Sequence, residues 1–309
     1  MNKKIGNIDS FIEINNSSVE ILNKVKSLNF HETCDKEGRT IYNIEVLPSE
    51  IIPRINFKVN ENVEFDLNLN ISIKENAKLE FLDESTYNSD SNIIILTHMS
   101  KNSLFELYRL NKFNDSSINS YFHKCELSES CLFKDYNFTN GSKQTNNETV
   151  VILGDKYAHY VGSGVVIADS ANCNNILKIN HNSQSAISDC SFKTVSRGSA
   201  NVTFNGKVFV DKDCSKTVSN QVSKGLIMDK EARVTLMPKL EINNDDVLCS
   251  HGAASGQPDE SVIYYLTSRG IKRKEAERIY VQGFLGEFLD KIDNAQMRAK
   301  AKQYISLNS

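Results

Sequence analysis

Cys249 and His251 are the two residues whose types and spacing most invite a chemical reading. They lie in the run VLCSHGAASG, which alternates like a strand and then passes through a glycine-rich bend. A two-residue spacing on a strand puts both side chains on one face. A thiolate beside an imidazole suits the iron of an iron–sulfur centre, or zinc. Two donors do not close a site, so further ligands would come from elsewhere in the fold or from another chain. The plain alternative is that Cys249 packs in a core and His251 caps a backbone group.

Other soft donors are thinner. His123 and Cys125 are also two apart, with Cys131 six further on. A buried free cysteine behaves as a small hydrophobe, so these three are read as packing residues. Cys173, Cys190 and Cys214 are read the same way. His31, His98, His159 and His181 are isolated, each reading as a structural histidine. No Gly-x4-Gly-Lys-Ser/Thr loop, His-Glu-x-x-His pair or Gly-x-Ser-x-Gly elbow occurs. GSGVVI at Gly162 leads into no helix and reads as a bulge or turn, not a dinucleotide loop.

The bulk composition limits the classes. The 309 residues are 39% hydrophobic and 24% charged, with a formal net charge of −3. That is a globular chain without the basic footprint of a nucleic-acid binder. No apolar run reaches membrane-spanning length. The lysines at the start precede no apolar stretch, so no secretory signal is read there. Seven scattered cysteines do not form a disulfide framework, and a reducing, cytoplasmic setting is expected.

Three stretches must position the candidate pair. Residues 1–45 are mixed, with a short helix expected in SSVEILNKVKS, capped by Ser17 or Ser18. Residues 46–255 alternate with period two in short runs such as AKLEF, SLFEL and ANVTF, separated by polar turns. Small residues recur before these runs, among them Ala77, Ser103, Cys131, Cys173, Ser185, Ala200, Cys214, Ala232 and Asp246. Most intervals lie near multiples of roughly 14 residues, read as two short strands plus two turns. That rhythm, with few hairpin signals, favours a parallel β-helix over a sandwich. Residues 256–309 switch to helix. Pro258 is placed in the first turn, and Gly270 closes it as a C′ glycine. The expected fold is mostly β: a right-handed parallel β-helix core, a short N-terminal region and a C-terminal α-helical cap.

The segment PKLEINNDDVLCSHGAASGQPDESVIYYLTSRGIKRKEAERIYVQGFLGEFL, Pro238 to Leu289, resembles the C-terminal core of the SufB/SufD family of iron–sulfur cluster assembly proteins. CSHGA and YYLTSRG are similar to the SufD version. The stretch SNQVSKGLIMDKEARVTLMPKLEI lacks the cysteine that SufB carries there. The resemblance implies a non-catalytic scaffold that pairs with SufB and docks the SufC ATPase on its C-terminal helices. It places His251 and Cys249 at the SufB–SufD interface, where a transient Fe–S cluster would be shared. Tyr264, Tyr265, Arg269, Ile279 and Phe284 become docking candidates. No nucleotide is expected on this chain itself, and a flavin is left open. The N-terminal part looks short and lacks the family's aromatic-rich motif. Two alternatives stand beside this: a homodimer bringing two Cys249/His251 pairs together, and a β-helical carbohydrate-active enzyme. Against the enzyme, tryptophan is absent and no paired acids occur at coil spacing.

Overall fold

A computed structural model describes residues 8–15, 18–22, 26–59, 64–114 and 116–308. Among them, twenty strands form two sheets, of eleven and nine strands. From Phe65 onward nearly every new strand pairs in parallel with the strand before the last, so the chain alternates between sheets while winding forward. This is a parallel β-solenoid with a flattened, two-sheet cross-section.

In the larger sheet Lys78, Leu104, Leu132, His159, Ile187, Val218 and Leu248 stack in register. One coil therefore takes 26 to 31 residues there. The 14-residue rhythm marks half a coil: one strand of about ten residues and one turn, not two strands and two turns. Long strands suit a core with two broad inner faces, where period-two alternation sends every second side chain inward.

The turns repeat a local device. Asn76, Asn102, Ser130, Tyr157 and Ser185 hold φ between 57° and 62°. Each precedes a buried small residue, namely Ala77, Ser103, Cys131, Ala158 and Ala186. The left-handed residue turns the chain, and the small one fits the corner of the core. Asn76, Asn102 and Ser130 also donate their backbone N–H to the next coil, at Lys101, Glu129 and Lys156.

Inside, a main apolar core runs along the coils, with a smaller separate cluster at Val166, Ala168, Ala171, Cys173, Ala200 and Val202. Phe105, Phe133 and Tyr160 stack along the axis, with centroids 5.2 and 5.4 Å apart. Gly162 and Gly164 form neither bulge nor turn, since the register runs through them unbroken. A Cβ on Gly162 would lie 2.5 Å from the Tyr160 hydroxyl, and one on Gly164 would lie 2.3 Å from the Phe192 ring. These glycines make room for aromatic rings.

Two local expectations are corrected. Ser18–Leu22 is a strand antiparallel to Ile8–Asn15, not a helix. The β-branched Val19 and Ile21 suit that pairing, which extends the sheet edge; Ser17 lies outside the described residues. Pro258 sits one residue before the helix cap, and Asp259 is the N-cap, accepting from the Ser261 N–H at 2.9 Å.

The expected helical cap is present as α1 (Glu260–Ser268), α2 (Arg273–Gly286), a short 3-10 turn (Leu289–Lys291) and α3 (Ala295–Asn308). Gly270, with φ 88°, follows α1 as expected. The cap covers a flank and leaves the last coil open. Val281, Leu285, Phe288, Met297, Tyr304 and Ile305 pack on Leu82, Tyr108, Phe138, Val165, Val195 and Leu226, on the outward face of the larger sheet. Polar contacts fasten it: Tyr136 donates to the Lys291 carbonyl at 2.9 Å, and Lys193 reaches the Phe284 carbonyl and Glu287. The buried Arg54–Glu80 ion pair meets Asn294 and Gln296 near the start of α3.

Candidate functional site at the open end of the solenoid

The two sheets end at strands Arg233–Ile242 and Val247–Gly256, each paired on one side only. Each offers ten residues of edge backbone. Inward residues of this coil are half-buried or exposed because no further coil covers them. Leu236, Leu240, Val247 and Cys249 pack on the core from one side.

Cys249 and His251 sit on the second of these strands. Cys249 is in register with Ser219, and His251 with Gln221. Ser219 and Gln221 are inward and fully buried, so both candidate ligands share the core-facing side of the last coil. Cys249 is half-buried and His251 is exposed. Burial pushes the Cys249 thiol up, while a backbone hydrogen bond from Ser219 works the other way. Around them the strand is bare: a Cβ on Gly252 or Gly256 would meet nothing within 4 Å. Such a strand offers backbone donors and acceptors with little side chain in the way.

Among the described residues, no group of three or more His, Cys, Asp or Glu is placed to hold a metal. The pair is two soft donors at an exposed edge. Cys34, His31 and His98 are also exposed, on earlier strands, while most other soft donors are turned inward. His123 and Cys125 point into the core, fully buried. The His123 Nε2 lies 3.0 Å from Thr97 Oγ1, and burial lowers its pKa to about 3. The Cys131 thiol donates to the Ser100 carbonyl at 3.0 Å. Cys173, Cys190 and Cys214 are buried packing residues.

The docking candidates divide by environment. Tyr264 and Tyr265 stand 74% and 57% exposed on α1, and the Arg269 guanidinium lies 5.3 Å from the Tyr265 ring centroid. Ile279 is exposed on α2. Phe284 instead turns toward the flank core, under the Lys193 ammonium. The α1–α2 hairpin is held by Arg273, which grips Glu260 at 2.7 and 3.1 Å, and by Tyr280, which accepts from the Asp259 N–H. Its exposed tyrosines therefore do not hold it together.

Sequence reading missed an apolar ladder beside the site. Ile187, Val218 and Leu248 stack outward in register on three successive coils, the last 74% exposed. Spacings of 31 and 30 residues are the only signal, and they are visible only once the coil length is known.

The chain matches the family model described as "SUF system FeS cluster assembly, SufBD core domain" over residues 58–284. It is 35% identical over 107 residues to an iron–sulfur cluster assembly SufBD family protein of Synechocystis, covering 35% of this chain and 24% of that one. It is 30% identical over 150 residues to the iron–sulfur cluster assembly protein SufD of Escherichia coli, covering 48% and 36% of the two chains. With SufD of Bacillus subtilis it shares 38% identity over 98 residues, covering 32% and 22%. The matched segments thus span about a quarter to a third of these relatives' length. An open-ended solenoid with matching sequence across most of its coils settles the family: the chain belongs to the SufBD core family of the SUF iron–sulfur cluster assembly system.

Proposed function

We propose that this chain is a non-catalytic scaffold subunit of the SufD kind, on which a nascent iron–sulfur cluster is built before transfer. The observation that carries the reading is the Cys249/His251 pair. Two soft donors lie side by side on an edge strand, with no third ligand beside them among the described residues. A partner that continues the sheets would satisfy the edge backbone and bring its own donors to the pair. In this reading the partner is SufB. Iron and sulfide are the substrates at the shared interface, and the cluster is cargo. His251 and Cys249 serve as ligands or as groups that steer iron and sulfide. The SufC ATPase docks on the α1–α2 hairpin through Tyr264, Tyr265, Arg269 and Ile279, with Phe284 shaping the hairpin from below.

The test is co-expression with SufB and SufC, purification, and anaerobic reconstitution with iron and sulfide, comparing wild type with His251→Ala by visible absorption. The reading expects a complex with both partners and a lower cluster yield in the variant. An intact complex with unchanged yield would leave this chain a structural and docking partner only. Failure to bind either partner would sink the scaffold assignment.

A further inference from the structure

The two open edges of the solenoid are not equivalent. In the smaller sheet Asn172, Asn201 and Arg233 occupy one row, and each donates its backbone N–H to the preceding coil, at Lys143, Ala171 and Ala200. Just past the last strand, Asn243 does the same to Val210. Backbone groups along a parallel strand point alternately to one neighbour and to the other. In Arg233–Ile242 the odd-numbered residues therefore face back into the solenoid. Val234, Leu236, Pro238, Leu240 and Ile242 turn their backbone to the open edge.

The larger sheet follows the same logic. Leu104, Leu132, His159, Ile187 and Val218 share a row and donate back to Ala77, Ser103, Cys131, Ala158 and Ala186. Leu248 continues that row. The open edge of Val247–Gly256 is therefore made by the backbone of Val247, Cys249, His251, Ala253 and Ser255.

Only this second edge is a complete ladder. Proline has no N–H, and its ring fills the place of the missing proton. Pro238 is the middle one of the edge-facing residues on its strand. It breaks no bond within the chain, because an N–H there would point away from every coil. It does obstruct an added strand: a partner carbonyl set against it would be buried without a donor. The edge of Val247–Gly256 has no such break, and the small residues from Gly252 to Gly256 let a second backbone come close.

Pro238 also stands across the open end from His251. Gln221 Nε2 donates to the Gly206 carbonyl of the other sheet at 3.4 Å, so these two rows face each other through the interior. On the last coil His251 lies over Gln221, and Pro238 lies over Gly206. A second copy paired about His251 by a two-fold axis would set Pro238 against Pro238, two positions without a donor. A partner of different sequence escapes that.

We propose that Pro238 makes pairing at the open end one-sided. The SufB strand joins the Val247–Gly256 edge through the backbone of Cys249, His251 and Ala253, and the smaller sheet stays split at Pro238, across from His251. This rests on the scaffold reading and narrows it to one edge.

The test is amide-resolved hydrogen exchange of the full chain, alone and in complex with SufB. Binding should slow the Cys249, His251 and Ala253 amides about tenfold or more, and the Leu236 and Leu240 amides by less than about twofold. Pro238→Val restores the donor and should extend protection to Leu236 and Leu240 in the complex. Ala253→Pro removes an outward donor, so the chain should fold with a urea midpoint near wild type and lose SufB. Should Ala253→Pro fail to fold, the wild-type exchange pattern decides. Equal protection of Leu236 and Leu240 in the wild-type complex, or SufB retained by a folded Ala253→Pro, overturns one-sided pairing while leaving the scaffold reading intact. A wild-type chain that forms no complex with SufB removes both. A chain that instead pairs with its own copy through the same edge overturns SufB as the occupant.

Discussion

Cys249 and His251 stand two residues apart on the core-facing side of an edge strand, each directly over a buried polar residue of the preceding coil. Neither is enclosed by this chain. Cys249→Ala and His251→Ala should therefore each change stability by about 1 kcal/mol or less. Urea unfolding of the purified chain checks this. A larger loss would mean the pair is structural, and reduced cluster yield could then not be assigned to lost ligands.

The α1–α2 hairpin separates binding from folding. Tyr264 and Tyr265 project into solvent, while Phe284 packs on the flank core. Replacing both tyrosines by alanine should leave stability within about 0.5 kcal/mol and abolish SufC co-purification. Phe284→Ala should destabilise by about 2 kcal/mol or more. Retained SufC in the double tyrosine variant would move the docking surface elsewhere.

Arg109 and Asp135 form an ion pair inside the solenoid. One guanidinium nitrogen donates to both carboxylate oxygens at 3.0 Å, and the guanidinium carbon lies 4.4 Å from the Tyr121 ring centroid. Burial pushes the Asp135 carboxyl up, and Arg109 opposes it. Arg109→Ala leaves that carboxylate buried without its counter-ion, a loss of about 3–5 kcal/mol. Replacing the pair jointly with Arg109→Leu and Asp135→Asn should recover part of it. If the single and joint variants unfold alike, the pair is not coupled.

Two buried histidines make stability fall with acid. Burial lowers the pKa of His123 to about 3 and of His181 to about 4. Below pH 6.5 the unfolded chain takes up protons at these positions before the folded one, so stability drops as pH falls toward 4. Between pH 7 and 5 each contributes a loss of about 2 kcal/mol. Asp83, Asp135 and Glu80 have raised carboxyl pKa values from burial and act in the opposite sense in acid. The His181→Gln difference isolates one imidazole: its urea midpoint should depend less on pH than that of wild type. An identical pH profile would show that His181 protonates freely in the folded chain.

The repeating alternation from Phe65 to Ile242 made the solenoid legible, because period two and regular turns are local properties of the chain. The small residues at Ala77, Ser103, Cys131 and Cys214 were legible for the same reason: a corner admits no more. What lay one coil away was not. Gly162 and Gly164 read as a bulge because the rings that fill their space, Tyr160 and Phe192, are assigned by inward packing and by a neighbour 28 residues on. Cys249 and His251 were legible as a pair but not as the rim of an open coil.

By itself, then, the sequence determined the strand pattern, the turn chemistry, the α1 and α2 helices and the one-sided placement of Cys249 and His251. Each depends on neighbours a few residues apart. The tertiary structure decided which side of the sheet faces the core, that the helices clasp a flank, and that polar residues from two sheets meet as His181, Ser188 and Ser219. Those outcomes depend on stacking residues about 28 to 31 positions apart, where the register of one coil on the next sets every contact.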